Sequence, residues 1–260
     1  MSEPLLSVKN LNVHFGGVHA LRDISFDIPD QGIYGIIGPN GAGKTTLFNC
    51  ISGFVRPTAG SSIRFLGEEL VGEPVHRIAR RGIARTFQGI ALNRVKTVRQ
   101  NLMTGLHQSL SYSPWRALFP SRYVLAAERE AKESIDQVLD LLGLPTSVLE
   151  TIVDVLPLGL QKKVEVARAI VAKPRVILLD EPAGGLNDAE TNDLCVSLLR
   201  LKMTPDLTIV LVDHDMNLVM RLCDKIFVVS SGQKIAEGST DHVRNNPAVI
   251  SSYLGEAEDA

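Results

Sequence analysis

The sequence predicts an α/β fold: a core of parallel strands with a helical lobe inserted into it. Three observations predict this. Short apolar runs, IYGIIG (33–38), VILLD (176–180) and TIVLVDH (208–214), are rich in β-formers and free of charge until their ends. Helical patterns flank the later two, ARAIVAKP before them and LCVSLLRLK between them. Residues 97–155, by contrast, carry no strand signal. Alternation of buried strands with helices marks a parallel sheet covered on both faces.

In chain order, Leu5–Phe15, Ala20–Ile28 and Ile33–Gly38 read as strands, the third feeding a glycine-rich loop. TTLFNCISG continues as a helix to Gly53, where RPTAG turns the chain. TVRQNLMTGL reads as a helix that HQSLSYSPWRALFPS breaks with two prolines around the sole Trp. A second lobe helix then places Val124, Ala127, Ala131, Ile135, Val138 and Leu142 at helical spacing, ending at Gly143 with Pro145 beyond. LPLGLQKKVEVARA (156–169) opens another helix. Pro157 suits its first turn, where a missing N–H costs no helix bond. There is no internal repeat.

Composition sets limits. A chain of 260 residues, 45% hydrophobic, can bury one large core with a lobe attached rather than two independent domains. Net charge of −2 gives no basic signal, so no nucleic-acid partner is expected. Cys50, Cys195 and Cys223 are odd in number and far apart, which reads as buried hydrophobes in a reducing compartment. No apolar run approaches the roughly 18 residues of a membrane span, and MSEPLLSVKN has no apolar leader core. These features predict a soluble, unexported chain. From Val75 to Ala127 there is no Asp or Glu, while Arg77, Arg80, Arg81, Arg85, Arg94, Lys96, Arg99, Arg116 and Arg122 fall inside. Such a stretch is either a solvated face or a surface for anionic lipid or partner carboxylates.

The strongest motif is GPNGAGKTT. Gly38, Pro39, Asn40, Gly41, Ala42, Gly43, Lys44, Thr45 and Thr46 satisfy G-x-x-x-x-G-K-[ST] between a strand and a helix. Glycines there let backbone N–H groups curl around phosphate oxygens, and the helix N-terminus adds its positive end. Lys44 is expected to reach the β and γ phosphates, and the Thr45 hydroxyl to ligate Mg²⁺. VILLDE ends a strand in two carboxylates. Beside a phosphate loop, Asp180 suits the Mg²⁺ shell and Glu181 the polarisation of an attacking water. His214, at the carboxyl end of another strand, is a candidate γ-phosphate contact. Lys44 and Asp180 lie far enough apart for a helical insertion that a minimal GTPase lacks, and no N-K-x-D motif is present. The expected nucleotide is ATP.

Taken in order, these residues resemble the ATPase subunits of ABC transporters over nearly the whole chain. The resemblance implies that Phe15 stacks on adenine. It also implies that ARTFQ, ending at Gln88, is the glutamine loop joining the metal site to the helical lobe. EPAGGLN, with Gly185, Leu186 and Asn187, resembles the loop that crosses the dimer interface and usually ends in Asp. Glu181 would be the catalytic base and His214 the switch histidine. Finer stretches (LLSVKNLNVHFGGVHAL, TLFNCISGFVRPTAG, DEPAGGLN, NNPAVISSYLGEA and the Trp-containing insertion at 107–123) are similar to the branched-chain amino-acid-type importer subgroup.

The resemblance further implies one ABC ATPase domain over 1–260. Its α/β core would be 1–90 and 160–240, with an antiparallel β subdomain. A helical subdomain would span 91–159, and a C-terminal helix with an acidic tail 241–260. The expected cofactors are ATP and Mg²⁺. The expected partners are membrane permeases, a second ATPase subunit and, indirectly, a solute-binding protein, at the cytoplasmic face of the membrane. The same motifs also suit a urea or aromatic-carboxylate importer, a lipid exporter, or a soluble ABC ATPase with no permease.

In most ABC ATPases the LPLGLQ stretch reads L-S-G-G-Q and contacts the ATP held by the opposite subunit. Pro157 replaces the serine, Leu158 the first glycine and Leu160 the glutamine, while Gly159 is kept and Gln161 follows. Two expectations stand open. Either the variant is tolerated, or the stretch serves a partner's ATP weakly, which favours a heterodimer over a homodimer.

Overall fold

The computed structural model describes residues 3–89, 91–106 and 122–254. Most of the Trp-containing insertion, with Arg116, and the acidic end GEAEDA lie outside them. Among the described residues, ten strands form two sheets. The first is antiparallel, in the order β2 (Val18–Ile28), β1 (Leu6–Phe15), β4 (Ser62–Phe65), β5 (Glu68–Glu69). The second runs β10 (Gln233–Gly238), β9 (Lys225–Ser230), β3 (Gly32–Ile37), β8 (Thr208–Val212), β7 (Val176–Asp180), β6 (Ile83–Arg85). It is parallel except for β10, which pairs antiparallel with β9.

The parallel sheet explains the charge-free runs. Every residue of β7 and β8 is buried, because alternate side chains enter different cores. Ile33, Ile177, Leu179, Ile209 and Leu211 face one core. Tyr34, Ile36, Leu178, Val210 and Val212 face the other, with the antiparallel sheet behind them. The first core also takes the helices α3 (Val98–Leu106), α4 (Arg122–Leu142), α5 (Leu158–Ile170), α6 (Asp188–Lys202) and α7 (Met216–Leu222). Within α4 the predicted stripe is buried at Ala131, Ile135, Val138 and Leu142.

Helix α1 (Lys44–Ile51) follows β3, and α2 (Val75–Arg80) precedes β6. Two short helices, α8 (Thr240–Arg244) and α9 (Pro247–Leu254), close the described chain. The sequence predicts that α1 runs to Gly53, but it ends two residues earlier, with Gly53 at φ 79 in the left-handed turn that follows. Pro157 differs in the same small way. It is the N-cap of α5 at φ −53 and ψ 149, extended rather than in the first turn, and its carbonyl accepts from Gln161 N–H at 3.0 Å.

The basic stretch is one-signed in sequence, but among the described side chains it is mostly compensated in space. Arg77 pairs with Glu73, Arg81 with Glu68 and Glu73, Arg85 with Asp180, Arg94 with Asp154 and Arg99 with Glu150. All these acids come from outside residues 75–127. Among the described residues, no ion pair involves Arg80 or Lys96. No helix of the described residues is long and apolar enough to cross a membrane.

Candidate active site

The glycine-rich loop is shaped by close approach. A Cβ on Gly38 would sit 1.8 Å from the Val229 carbonyl oxygen, and one on Gly43 would sit 2.6 Å from Leu21 Cδ2. Gly43 caps α1 at φ 103, a conformation that L side chains avoid. Gly41, at φ 74, faces open space with nothing within 4 Å of its Cβ position. The Lys44 ammonium donates to the carbonyls of Gly38 at 2.5 Å and Pro39 at 2.7 Å, folding back over the loop it follows. Gly232 N–H donates to the Ala42 carbonyl at 3.0 Å, tying the loop to the β9–β10 turn.

A cleft of about 450 Å³ opens over this loop. Asn40 to Thr46 form its floor, Gln88 and Glu181 one wall, and Val18, His19 and Arg22 of β2 another. Phe15 ends β1, half exposed, with Val18 as its register partner across the hairpin. The fold therefore brings residues from three separate parts of the sequence, the loop, Gln88 and Glu181, into one cleft. His14 and His19 stack beside it with ring centroids 3.9 Å apart. Desolvation and the neighbouring charges of His14 and Arg22 hold the His19 imidazole below its ordinary pKa.

Asp180 and Glu181 are placed differently despite being neighbours. Asp180 is buried, and its Oδ2 accepts from Arg85 at 2.9 Å. Its Oδ1 is also buried, with no hydrogen-bond partner. The chain then turns at Glu181, whose φ of 49 is left-handed and whose N–H donates to the Val212 carbonyl at 2.8 Å. That turn swings the Glu181 side chain towards the cleft, where Gln88 Nε2 donates to its Oε2 at 3.2 Å.

His214 leaves the end of β8, two residues past Val212, the register partner of Asp180. Its ring is two-thirds exposed and does not line the cleft. Asp213 before it is buried and accepts from Ala183 N–H at 3.2 Å and Asp215 N–H at 2.9 Å, joining the two loops. Burial raises the Asp213 carboxyl pKa, opposed by those backbone hydrogen bonds.

None of Pro157, Leu158, Gly159, Leu160 or Gln161 lines this cleft. Gly159 N–H donates to Glu190 Oε1 at 3.2 Å, and Gln161 Nε2 to the Leu156 carbonyl at 2.7 Å. Glu190 also closes the capping box with Asn187 at the start of α6. Sequence reading missed this role of Glu190, and also the contacts of Lys162 and Glu165 on α5. The capping pattern N-x-x-E was the one local signal available.

The donor set fits a hard cation bound together with phosphate. It offers a hydroxyl (Thr45, exposed), an amide (Gln88) and a buried carboxylate oxygen without a partner (Asp180 Oδ1). No group of three or more His, Cys, Asp or Glu among the described residues could hold a metal unaided. A site of this kind suits Mg²⁺, which keeps waters and binds through a few protein oxygens and substrate phosphates.

A phosphate loop between a buried strand and a helix, beside a strand ending in paired carboxylates, defines the class of phosphate-loop nucleoside-triphosphate hydrolases. Known proteins narrow it. Residues 21–184 match the family described as ABC transporter, and residues 233–259 the one described as branched-chain amino acid ATP-binding cassette transporter. The chain is 41% identical to BraF of Pseudomonas aeruginosa, a high-affinity branched-chain amino acid transport ATP-binding protein, over 99% of this chain and 100% of that one. It is 42% identical to LivG of Escherichia coli, which carries the same description, over the same shares. A solved ADP-conformation structure of an ABC transporter's ATP-binding cassette superposes with a TM-score of 0.83 at 29% identity. That match covers 98% of this chain and 100% of the other. The chain belongs to the ABC transporter ATP-binding family and is an ABC-type ATPase.

Proposed function

We propose that this chain hydrolyses ATP to drive uptake of branched-chain amino acids or a related small solute through membrane permeases. The observation that carries the hydrolytic reading is the Glu181 carboxylate at the cleft wall, hydrogen-bonded to Gln88 and set off from the buried Asp180. The full-length likeness to BraF and LivG supports the solute class.

In this reading Glu181 orients the attacking water and accepts its proton, while Lys44 and His214 stabilise charge on the transferring phosphoryl group. The backbone from Gly38 to Thr46 cradles the phosphates, and Phe15 stacks on the adenine. Thr45, Gln88 and Asp180 would hold Mg²⁺, which neutralises charge on the phosphate oxygens when bound. The α/β core at 1–90 and 160–240, the helical part at 91–159 and the end at 241–260 act as one domain. It sits at the cytoplasmic face of the membrane against two permeases supplied by a solute-binding protein. Arg80 and Lys96 are the described basic residues best suited to meet acidic permease loops or lipid headgroups, since Arg77, Arg81, Arg85, Arg94 and Arg99 are already paired.

Two such chains enclose two ATP molecules, each held between one phosphate loop and the opposite signature helix. The signature of this chain offers little to a partner's phosphate. Pro157 has no N–H, and Gly159 N–H already donates to Glu190. We infer that the productive partner is a second, different ATPase with an intact signature.

The test has two parts. Glu181→Gln in the assembled transporter should bind ATP but stop turnover; hydrolysis at the wild-type rate removes Glu181 from its role. Membrane vesicles carrying the assembled transporter should take up labelled leucine, isoleucine or valine on ATP addition. Hydrolysis without uptake of any of them rejects the solute class.

A further inference from the structure

Two buried side chains of α5 grip the parts of the chain that carry Gln88 and Glu181, and neither lines the cleft. The Lys162 ammonium donates to the Glu181 carbonyl oxygen at 3.2 Å. Glu165 Oε1 accepts from Ala91 N–H at 3.2 Å. Lys162 and Glu165 are 6% and 3% exposed, so both are withdrawn from solvent and committed to these contacts. They lie three residues apart, on one face of the helix.

These bonds complete a circuit. Lys162 holds the backbone of Glu181, Gln88 holds its carboxylate, and Glu165 holds the chain just past Gln88, at Ala91. The circuit matters because Glu181 has a left-handed backbone at φ 49. A non-glycine residue pays about 1–3 kcal/mol for such a conformation and keeps it only where its surroundings impose it. The Val212 carbonyl secures its N–H, while Lys162 and Gly184 N–H secure its carbonyl. Burial raises the Glu165 pKa, with the neighbouring charges of Lys162 and Arg168 among the opposing effects.

We propose that Lys162 and Glu165 are positioning residues for hydrolysis, fixing the Glu181 carboxylate against Gln88 from the signature helix. The proposal rests on the reading of Glu181 as the water-orienting base. Its consequence is a link within one chain: displacement of α5, whose N-terminus would face the partner's nucleotide, shifts the chain's own Glu181.

The test measures phosphate release at saturating ATP and affinity for a fluorescent ATP analogue in the assembled transporter, and thermal midpoint on the full-length chain. Lys162→Met should lower kcat about tenfold or more, as a misplaced catalytic group does. Nucleotide Kd should stay within about twofold, since binding is not what is lost. Lys162→Arg, which keeps a donor, should recover most of kcat. Glu165→Ala should resemble Lys162→Met, and Glu165→Gln, which keeps an acceptor for Ala91, should resemble the wild type. If Lys162→Met does not fold, Lys162→Gln, too short to reach the carbonyl, replaces it with the same expected results.

Wild-type kcat in Lys162→Met while Glu181→Gln is inactive overturns the proposal and leaves the base intact. A loss shared equally by kcat, Kd and thermal midpoint, or one that Lys162→Arg does not repair, overturns it as well. Wild-type turnover in Glu181→Gln rejects the underlying reading instead.

Discussion

Arg85 and Asp180 form an ion pair at 2.9 Å in which the side chains are only 6% and 1% exposed. Arg85 also donates to Asn49 Oδ1 and Ser52 Oγ, both at 2.8 Å, and its guanidinium lies over the rings of Phe48, Phe54 and Phe87. One cation therefore joins the helix that follows the phosphate loop to the strand that carries the paired carboxylates.

Removing that cation leaves Asp180 buried without its counter-charge. Such a loss costs about 3–5 kcal/mol, more than the pair itself contributes when intact. Arg85→Met should lower the unfolding free energy measured in urea by that amount, with a lower midpoint, and Arg85→Lys by less, because charge is kept and the fork of hydrogen bonds is lost. An unchanged midpoint in Arg85→Met would show that the pair is not desolvated in solution.

The glycines of the phosphate loop should separate into two kinds. Gly38→Ala drives a methyl into the Val229 carbonyl, backbone against backbone, and should abolish soluble, ATP-binding protein. Gly41→Ala meets no atom within 4 Å and carries only the left-handed penalty, about 1–2 kcal/mol. That variant should fold as soluble protein, with a lowered thermal midpoint. Equal behaviour of the two in a paired solubility and melting experiment would contradict the geometry.

The three cysteines are free and buried. Burial raises the thiol pKa of Cys50 to about 12, and burial together with Asp224 does the same for Cys223. An unfolded thiol ionises near 9.0, so above that pH the folded state retains protons that the unfolded chain releases. The stability contributed by these two groups is therefore complete below pH 9 and lost as pH rises towards 12. Native protein at pH 8 should resist iodoacetamide, and urea should expose all three thiols to it. Cys50→Ala and Cys223→Ala should each flatten the alkaline fall in stability.

What could be read from the sequence was local. β7 and β8 were legible because burial on both faces leaves an uninterrupted apolar run, and α4 because its core stripe repeats at helical spacing. β6 has three residues, too few for any period to register. β10 is a half-buried edge strand, QKIAEG, with polar residues at half its positions. The β4–β5 hairpin turns through Leu66 at φ 52 and Gly67 at φ 79, and leucine gives no turn signal. The phosphate loop and the adjacent acids sit in contiguous motifs. Contacts that need two distant segments left no mark, which is why Arg85 read as part of a basic surface rather than as the partner of Asp180. The same blindness made residues 75–127 look uncompensated.

The signature helix yields the prediction that bears most on assembly. Pro157 supplies neither hydroxyl nor N–H at the cap of α5, and Leu158 lies against the loop at Gly185, 3.3 Å from where a Cβ would stand. Gly159 is the one glycine retained, and its N–H is held by Glu190 from the same chain. If this helix is to donate to a phosphate on a partner, its donors must be restored. Pro157→Ser with Leu158→Gly returns a hydroxyl and an N–H, and frees space beside Gly185. A single preorganised donor to a reacting oxyanion can be worth about a hundredfold in rate. The double variant should therefore raise hydrolysis by the purified chain alone at least about tenfold, because both composite sites of a homodimer gain. In a heterodimer with an intact partner the gain should fall on only one of the two sites, at most doubling the total. Fast hydrolysis by the unaltered chain as a homodimer would show that Pro157 and Leu158 are a tolerated signature.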